Sequence, residues 1–271
     1  MRKLGNQIEP AAHLPRFMSV QRRPLMANHN RCWIWGRNVV VETLRAGYWP
    51  MLELLHSDRC EPEARAEVVS VGTKRGIKVC SVSDAEVKKQ CRSDEHQGLA
   101  ARMPPFPYRD VQELVQSLPN NPVLVMLDRV HDPYNFGAIV RSADVLGIHG
   151  VIVGTREQAQ VNSLAARSSA GAVNYVPIAQ ADELTTTVED LRSRGFQIVG
   201  TSDHASESIF EPDFRQPTLL LIGNEGRGIQ PALESLCTRF VQIPVLGSVG
   251  SLNAAVSAGI LFYEVLRQRQ A

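Results

Sequence analysis

The stretch that decides the fold is VLVMLDRVHDPYNFGAIVRSAD, at residues 123–144. It begins with five apolar residues, and a short uninterrupted apolar run is typical of a strand buried on both faces of a parallel sheet. After a polar turn, Phe136, Ile139 and Val140 recur with the spacing of one helix face. A buried strand that leads through a polar loop into an amphipathic helix predicts an α/β fold with a parallel sheet.

The same alternation of strand and helix repeats through the second half of the chain. Because ligands in such sheets bind beyond the carboxyl ends of the strands, the loops that follow strands are the places to look for chemistry. The further predicted strands are residues 150–153, 175–177, 197–201, 218–222 and 240–243.

The first half predicts a smaller α/β unit. Its helices are expected at residues 39–46, 61–75 and 84–90, with apolar or β-rich segments at 51–55 and 77–82. The prolines of residues 104–107 cannot continue a helix or a central strand, so they predict a linker. The expected organisation is an arm at 1–30, a front domain at 31–103, a linker and bridging helix at 104–120, and a main domain at 121–271.

Composition restricts the function classes. The chain has 271 residues with 29 Lys and Arg against 28 Asp and Glu, so contact with nucleic acid has to come from local basic patches rather than bulk charge. No apolar run is long enough to span a bilayer. Five cysteines without a CxxC pair argue against a disulfide framework or a structural zinc site, which fits a reducing cytoplasm.

The first 30 residues are basic and poor in acids. They contain five Lys and Arg residues but one acid, Glu9, and several prolines, which predicts a disordered arm. Two other interpretations are open: an organelle-targeting peptide, or an upstream start with Met26 as the true first residue.

The loop after residues 123–127 carries Asn135, and the helix that follows carries Arg141. Polar side chains at the carboxyl end of a parallel strand are candidates for contact with a ligand. The simpler interpretation is that Asn135 caps the helix and that Arg141 is a solvated residue paired with Asp144.

Two later loops are rich in small residues. Residues 223–228, GNEGRG, combine three glycines with Glu225, and their GxxGxG spacing matches neither a dinucleotide fingerprint nor a Walker loop. Residues 244–253 place Ser251 and Asn253 at the start of the last predicted helix, where backbone N–H groups point at a ligand. Taken alone, the first is more often a tight turn and the second a helix cap.

Together, three stretches resemble the SpoU (TrmH-like) branch of the SPOUT RNA methyltransferases. They are LDRVHDPYNFGAIVRSAD (127–144), LLIGNEGRGI (220–229) and IPVLGSVGSLNAAVSAGILFYEVLRQR (243–269). In the front domain, WGRNV (35–39) and HQG (96–98) are similar to the family's substrate-binding module, itself like an RNA-binding ribosomal-protein fold. The chain most resembles the two-domain rRNA guanosine-2′-O-methyltransferases. Gly250 departs from the Ser or Glu of many relatives.

The resemblance implies a C-terminal domain with a deep trefoil knot that binds S-adenosylmethionine. By motif position, the implied cofactor-binding residues are Thr201, Gly223, Ile243 and Leu252. The implied catalytic residues are Arg141, Asn135, Glu225, Ser251 and Asn253. Arginine is a poor base, so the role expected of Arg141 is to hold an RNA phosphate and polarise the ribose hydroxyl. No metal site is implied.

The resemblance also implies structured RNA as partner and a homodimer through the knotted domain. The 2′-hydroxyl is the atom that separates RNA from DNA. The front domain favours rRNA as substrate, with tRNA, or an rRNA target tied to antibiotic resistance, as alternatives. A non-catalytic RNA-binding or ribosome-assembly factor is the rival class, whereas a dinucleotide-dependent oxidoreductase lacks its GxGxxG turn. The last helix carries the apolar residues expected at the dimer interface, Val256, Ile260, Tyr263 and Leu266. The candidate phosphate contacts in the front domain are Arg65, Lys74, Arg75, Lys78, Lys88, Lys89 and Arg92.

Overall fold

The computed structural model describes residues 32–270. The arm predicted at residues 1–30 lies outside this range. Within it the chain forms two sheets with their helices, and no helix of the described range is long and apolar enough to cross a membrane.

The first sheet has four strands in the order β1-β4-β2-β3, with β2 and β3 parallel and the other neighbours antiparallel. Helices α1 and α2 pack against each other beside this sheet. The elements are β1 (Cys32–Trp35), α1 (Arg37–Ala46), β2 (Glu53–His56), α2 (Pro62–Lys74), β3 (Lys78–Ser81), α3 (Asp84–Cys91) and β4 (Leu99–Met103). The prediction missed β1 and β4, which are short and lack a clear alternation of apolar and polar residues.

The proline-rich segment after β4 is packed rather than loose. The indole nitrogen of Trp49 donates a 2.9 Å hydrogen bond to the carbonyl of Pro104. Phe106 is buried, and its ring lies edge-on to Trp49 and Tyr108 with centroids 5.2 and 5.0 Å away. The segment then enters α4 (Val111–Gln116), so aromatic burial holds it against the first sheet.

The second sheet has seven strands in the order β7-β6-β5-β10-β8-β11-β9, and all neighbours run parallel. Strands β5, β6 and β10 are buried along their whole length, as their unbroken apolar runs predicted. The elements are β5 (Val123–Leu127), α5 (Pro133–Val145), β6 (Gly150–Gly154), α6 (Ser163–Ser168), β7 (Ile178–Ala181), α7 (Leu184–Ser193), β8 (Gln197–Thr201), β9 (Glu207–Ser208), β10 (Thr218–Ile222), α8 (Pro231–Glu234), β11 (Arg239–Gln242) and α9 (Ala254–Gln270).

The strand predicted at 175–177 was wrong. A short 3-10 helix, Ala172–Asn174, precedes this segment, and the strand begins at Ile178. Pro177 has no N–H to donate to a ladder, and only its carbonyl takes part, accepting from the N–H of Val151 at 2.9 Å. The α/β class with a parallel sheet is confirmed, and the trefoil knot stays an expectation of the resemblance.

The two sheets share one buried core and dock through α6 and the 3-10 helix. The Asn174 amide donates a 2.9 Å hydrogen bond to the Thr43 hydroxyl, and both side chains are buried. The guanidinium of Arg167 lies 4.9 Å from the ring centre of Trp35 and forms a 2.7 Å ion pair with Glu95. The contact between the two sheets therefore includes specific polar interactions as well as apolar packing.

Candidate active site

The strand order brings the three chemistry-bearing loops together. β5 and β10 are direct neighbours, with Leu127 opposite Ile222 in the register. The loops that follow them, which begin at Asp128 and Gly223, therefore leave the sheet side by side. The loop after β11 runs into α9, and α9 packs against α5.

A cleft of about 420 Å³ lies at this carboxyl edge. Its walls combine apolar side chains with the backbone of the glycine-rich loop, residues 223–228. The apolar residues that line it are Ile209, Ile222, Ile229, Val241, Ile243, Val245, Leu252, Ala254 and Leu261.

All four predicted cofactor-binding residues line this cleft, Thr201, Gly223, Ile243 and Leu252. The Thr201 hydroxyl donates to the carbonyl of Leu221 at 3.1 Å, so its proton is already engaged. Aliphatic walls suit an adenine, and the open backbone of a glycine-rich loop offers hydrogen-bonding groups to a polar tail. The lining therefore fits a nucleoside with an amino-acid tail, such as S-adenosylmethionine.

Gly223 has no room for a side chain. A Cβ at this position would lie 2.3 Å from the carbonyl carbon of Gly228 and 2.4 Å from the nitrogen of Ile229. The turn closes this tightly because the backbone of Asn224 exchanges hydrogen bonds of 3.1 and 2.9 Å with Gly228. Glycine is required here by close backbone approach.

Asn135 joins the three loops. Its side-chain nitrogen donates a 2.6 Å hydrogen bond to Glu225 in the second loop, and its side-chain oxygen accepts one of 3.0 Å from Asn253 in the third. Asp132, not Asn135, caps α5, because its carboxylate accepts from the N–H of Tyr134. The interpretation of Asn135 as a helix cap was therefore wrong.

Asn253 serves both as a helix cap and as part of this cluster. Its side-chain oxygen accepts hydrogen bonds of 2.9 and 3.3 Å from the N–H groups of Ala255 and Val256, while its nitrogen faces Asn135. Ser251 and Glu225 line the cleft itself. Four of the five predicted catalytic residues are thus gathered at one edge of the sheet.

Arg141 is the exception. It lies on α5 two turns beyond Asn135, is exposed, and does not line the cleft. Within residues 32–270 its side chain forms no hydrogen bond and no ion pair, and the expected pairing with Asp144 is not formed. A guanidinium with no partner in this range has its donors available to a ligand.

Four titratable residues that line the cleft were not predicted as site residues, Asp203, His204, Arg227 and Glu234. Asp203 and His204 follow β8, so the rule applied to the other strand-following loops would have found them. Glu234 ends the short helix α8, which carries no motif.

Most of the front-domain cations predicted to contact phosphate are paired within the chain. Arg65, Lys78, Lys88 and Lys89 form ion pairs with Asp58, Glu53, Asp94 and Glu86. The Arg75 guanidinium instead binds the last carbonyls of α1, at Leu44 and Arg45, where a cation also complements the helix dipole. Among the described residues, the side chains of Lys74 and Arg92 alone in this set form no ion pair or hydrogen bond.

Comparison with known families assigns each half of the chain to a family model. The model of the SpoU rRNA Methylase family matches residues 122–263. The chain belongs to the SpoU family of RNA methyltransferases. A second model, RNA 2′-O ribose methyltransferase substrate binding, matches residues 33–109 and covers the first sheet.

Relatives of the SpoU family match along nearly the whole chain. An uncharacterized tRNA/rRNA methyltransferase of Mycobacterium avium is 36% identical over 276 residues, which cover 98% of this chain and 89% of the relative. The SpoU methyltransferase AviRb of Streptomyces viridochromogenes in complex with AdoMet is similar with a TM-score of 0.75 and 32% identity, covering 89% of this chain and 91% of AviRb. An AdoMet-bound rRNA methyltransferase of Sinorhizobium meliloti has a TM-score of 0.75 and 29% identity, covering 88% and 87%.

Proposed function

We propose that this RNA methyltransferase transfers a methyl group from S-adenosylmethionine to a ribose 2′-hydroxyl in structured RNA, with ribosomal RNA as the substrate. The observation that carries the proposal is the contact of Asn135 with both Glu225 and Asn253 at the rim of the cleft. Three loops distant in the chain meet there, beside a lining that fits the methyl donor.

The chemistry requires an oxygen nucleophile held in line with an activated methyl group. S-adenosylmethionine supplies that group on a positively charged sulfur. As the O–CH₃ bond forms, the S–CH₃ bond breaks and the proton of the hydroxyl passes to solvent. The residues of this chain have to bind the ribose, exclude competing water, and stabilise charge that develops on the oxygen.

Arg141 and Asn135 divide these tasks. Guanidinium groups are hydrogen-bond donors and poor bases, so Arg141 acts as a donor that holds an RNA phosphate and polarises the hydroxyl. The amide of Asn135, fixed from both sides, presents Glu225 in one orientation. Ser251 lines the cleft beside them and completes the pocket.

Ribosomal RNA is favoured over tRNA by the front domain. The first sheet matches the substrate-binding model, and the S. meliloti rRNA methyltransferase is similar over both sheets. The five free cysteine thiols are consistent with a reducing compartment, so the proposal places the reaction in the cytoplasm.

The proposal includes a homodimer. On α9, Val256 and Tyr263 are 50% and 61% exposed, and on the neighbouring α5 Val145 is 72% exposed. Exposed apolar side chains on two packed helices favour burial against another protein surface. Sedimentation of the purified chain, with Tyr263→Glu as the disrupting variant, measures this directly.

Incubation with labelled S-adenosylmethionine and separated rRNA and tRNA from a strain that lacks the activity tests the reaction. Label is expected in rRNA. Alkaline hydrolysis should then leave the label in dinucleotides, because a methylated 2′-oxygen cannot attack the neighbouring phosphate. Label in mononucleotides would show methylation of a base instead of the ribose. Label in tRNA would show that tRNA, not rRNA, is the substrate. Tight RNA binding without any label would favour the non-catalytic factor.

A further inference from the structure

Asp128 is a buried carboxylate at the junction of the first two loops. Its side chain is fully buried and accepts hydrogen bonds from the guanidinium of Arg129 at 3.0 and 3.1 Å. It also accepts one of 2.6 Å from the N–H of Gln230, just beyond the glycine-rich loop. A buried charge is stable only when it is paired and hydrogen-bonded in this way, so the carboxylate ties the two loops together.

Arg129 adopts a backbone conformation that side chains rarely take. Its φ is +57°, in the left-handed region, and a residue other than glycine stays there only where its surroundings compensate. Its guanidinium binds Asp128, whose carboxylate holds the pKa of Arg129 above its ordinary value. The guanidinium also reaches the carbonyl of Gly228 at 3.4 Å. The carbonyl of Arg129 accepts 2.9 Å from the side chain of Asn224.

Asn224 shapes the glycine-rich loop from inside. While its nitrogen holds Arg129, its side-chain oxygen accepts hydrogen bonds of 3.0 and 3.1 Å from the N–H groups of Gly226 and Arg227. Glu225, which accepts the hydrogen bond from Asn135, lies in the chain between Asn224 and these two N–H groups. The conformation of residues 223–228 is therefore set by two side chains that do not themselves meet Asn135.

We propose that Arg129 and Asn224, anchored by Asp128, are positioning residues that hold the glycine-rich loop in the shape that binds the methyl donor and presents Glu225. This inference rests on the proposed function. It predicts that losing these contacts weakens donor binding and slows transfer while the rest of the fold persists, because the sheet beneath is held by its own ladder.

Two variants remove single contacts. Arg129→Lys keeps the positive charge but loses the planar fork that binds the carboxylate with two parallel bonds. Asn224→Asp keeps the oxygen that accepts from Gly226 and Arg227 but cannot donate to Arg129. The matched control is Arg194→Lys, which alters an exposed ion pair with Asp190 on the distant helix α7.

The Kd for S-adenosylmethionine is measured by titration calorimetry, and kcat is measured with saturating donor and RNA. Both measurements are made at a temperature at which circular dichroism shows that each variant is folded. Both variants are expected to raise Kd about tenfold or more and to lower kcat about 100-fold, as for a misplacement of about 1 Å. The control should match the parent in both Kd and kcat. Asn224→Asp decides the test if Arg129→Lys does not fold.

Parent-like Kd and kcat in the folded variants would overturn the positioning role, even if their melting temperature fell, since a merely structural contact changes stability alone. A parent protein that binds no S-adenosylmethionine would instead refute the proposed function.

Discussion

Asn135 and Glu225 are joined by a 2.6 Å hydrogen bond although 90 residues separate them in the chain. The same amide accepts from Asn253, 118 residues away, so its orientation is set from both sides. A side-chain amide donates through its nitrogen and accepts through its oxygen, so one Asn135 side chain can bridge Glu225 and Asn253. A single substitution at Asn135 therefore disrupts both contacts.

Replacing Asn135 should therefore separate activity from stability. Asn135→Asp sets a second carboxylate beside Glu225, and like charges repel. We expect kcat to fall about 100-fold, while the free energy of unfolding changes by less than about 1 kcal/mol because the cluster is largely exposed. Asn38→Ala, at an exposed position on α1, is the control. Activity within twofold of the parent would contradict the assignment.

Gly223→Ala tests the close approach in the glycine-rich loop. Its Cβ would meet the backbone of Gly228 at 2.3 Å, so the loop has to shift. We expect a loss of donor affinity of about tenfold or more and a destabilisation of about 1–3 kcal/mol. Gly154→Ala, at the end of β6 and outside the cleft, is the matched control, because its Cβ would lie 3.6 Å from its nearest neighbour, an ordinary contact. Equal donor affinity in the two variants would count against the prediction.

Arg141→Ala should abolish methylation without affecting the fold. The side chain has no partner within residues 32–270, so the free energy of unfolding should change by about 0.5 kcal/mol or less, and binding of the donor should be unchanged. Filter assays of methyl transfer and calorimetry of donor binding measure the two effects. Arg192→Ala, at another exposed arginine on α7, controls for loss of charge. Full methylation by Arg141→Ala would refute the assigned role.

Asn174→Ala should loosen the docking of the two sheets. The variant leaves the buried Thr43 hydroxyl without its partner, which destabilises by about 1–3 kcal/mol. We expect the single calorimetric transition of the parent to broaden or divide, with the first sheet melting earlier. Tyr175→Phe, which removes an exposed hydrogen bond to Glu42 at the same interface, should have a smaller effect. An unchanged transition in Asn174→Ala would contradict this.

The stability of the chain should depend on pH through His149. Burial lowers the pKa of this imidazole below its usual value of 6.5, and its Nδ1 accepts a hydrogen bond from the N–H of Val123. Below pH 6.5 the unfolded chain therefore takes up the proton more readily than the folded one, so stability falls as the pH is lowered through this range. His149→Asn retains an acceptor but does not titrate. Urea unfolding at pH 7.5 and 5.5 should show a smaller loss for the variant than for the parent; equal losses would exclude His149 as the cause.

The sequence by itself determined most strands of the second sheet and the loops that carry its chemistry. Strands β5, β8 and β10 were predicted with their observed bounds. For β5 and β10 the signal is an apolar run, a local property that burial on both faces requires. The rule that ligands bind beyond the carboxyl ends of parallel strands pointed to the loops that contain Gly223, Glu225 and Asn253, and the resemblance to the SpoU family implied the roles of these residues.

Only the tertiary structure decided which residues are in contact. The strand order places β10 beside β5 and β8, and no periodicity encodes that order. Packing brought Asn135 to Glu225, left the Arg141 side chain without a partner among residues 32–270, and directed the guanidinium of Arg75 to the carbonyls of Leu44 and Arg45 near the end of α1. Local spacing determines which residues share a face of one element, whereas contacts across 90 residues follow from how separate elements pack, and packing depends on the whole chain at once.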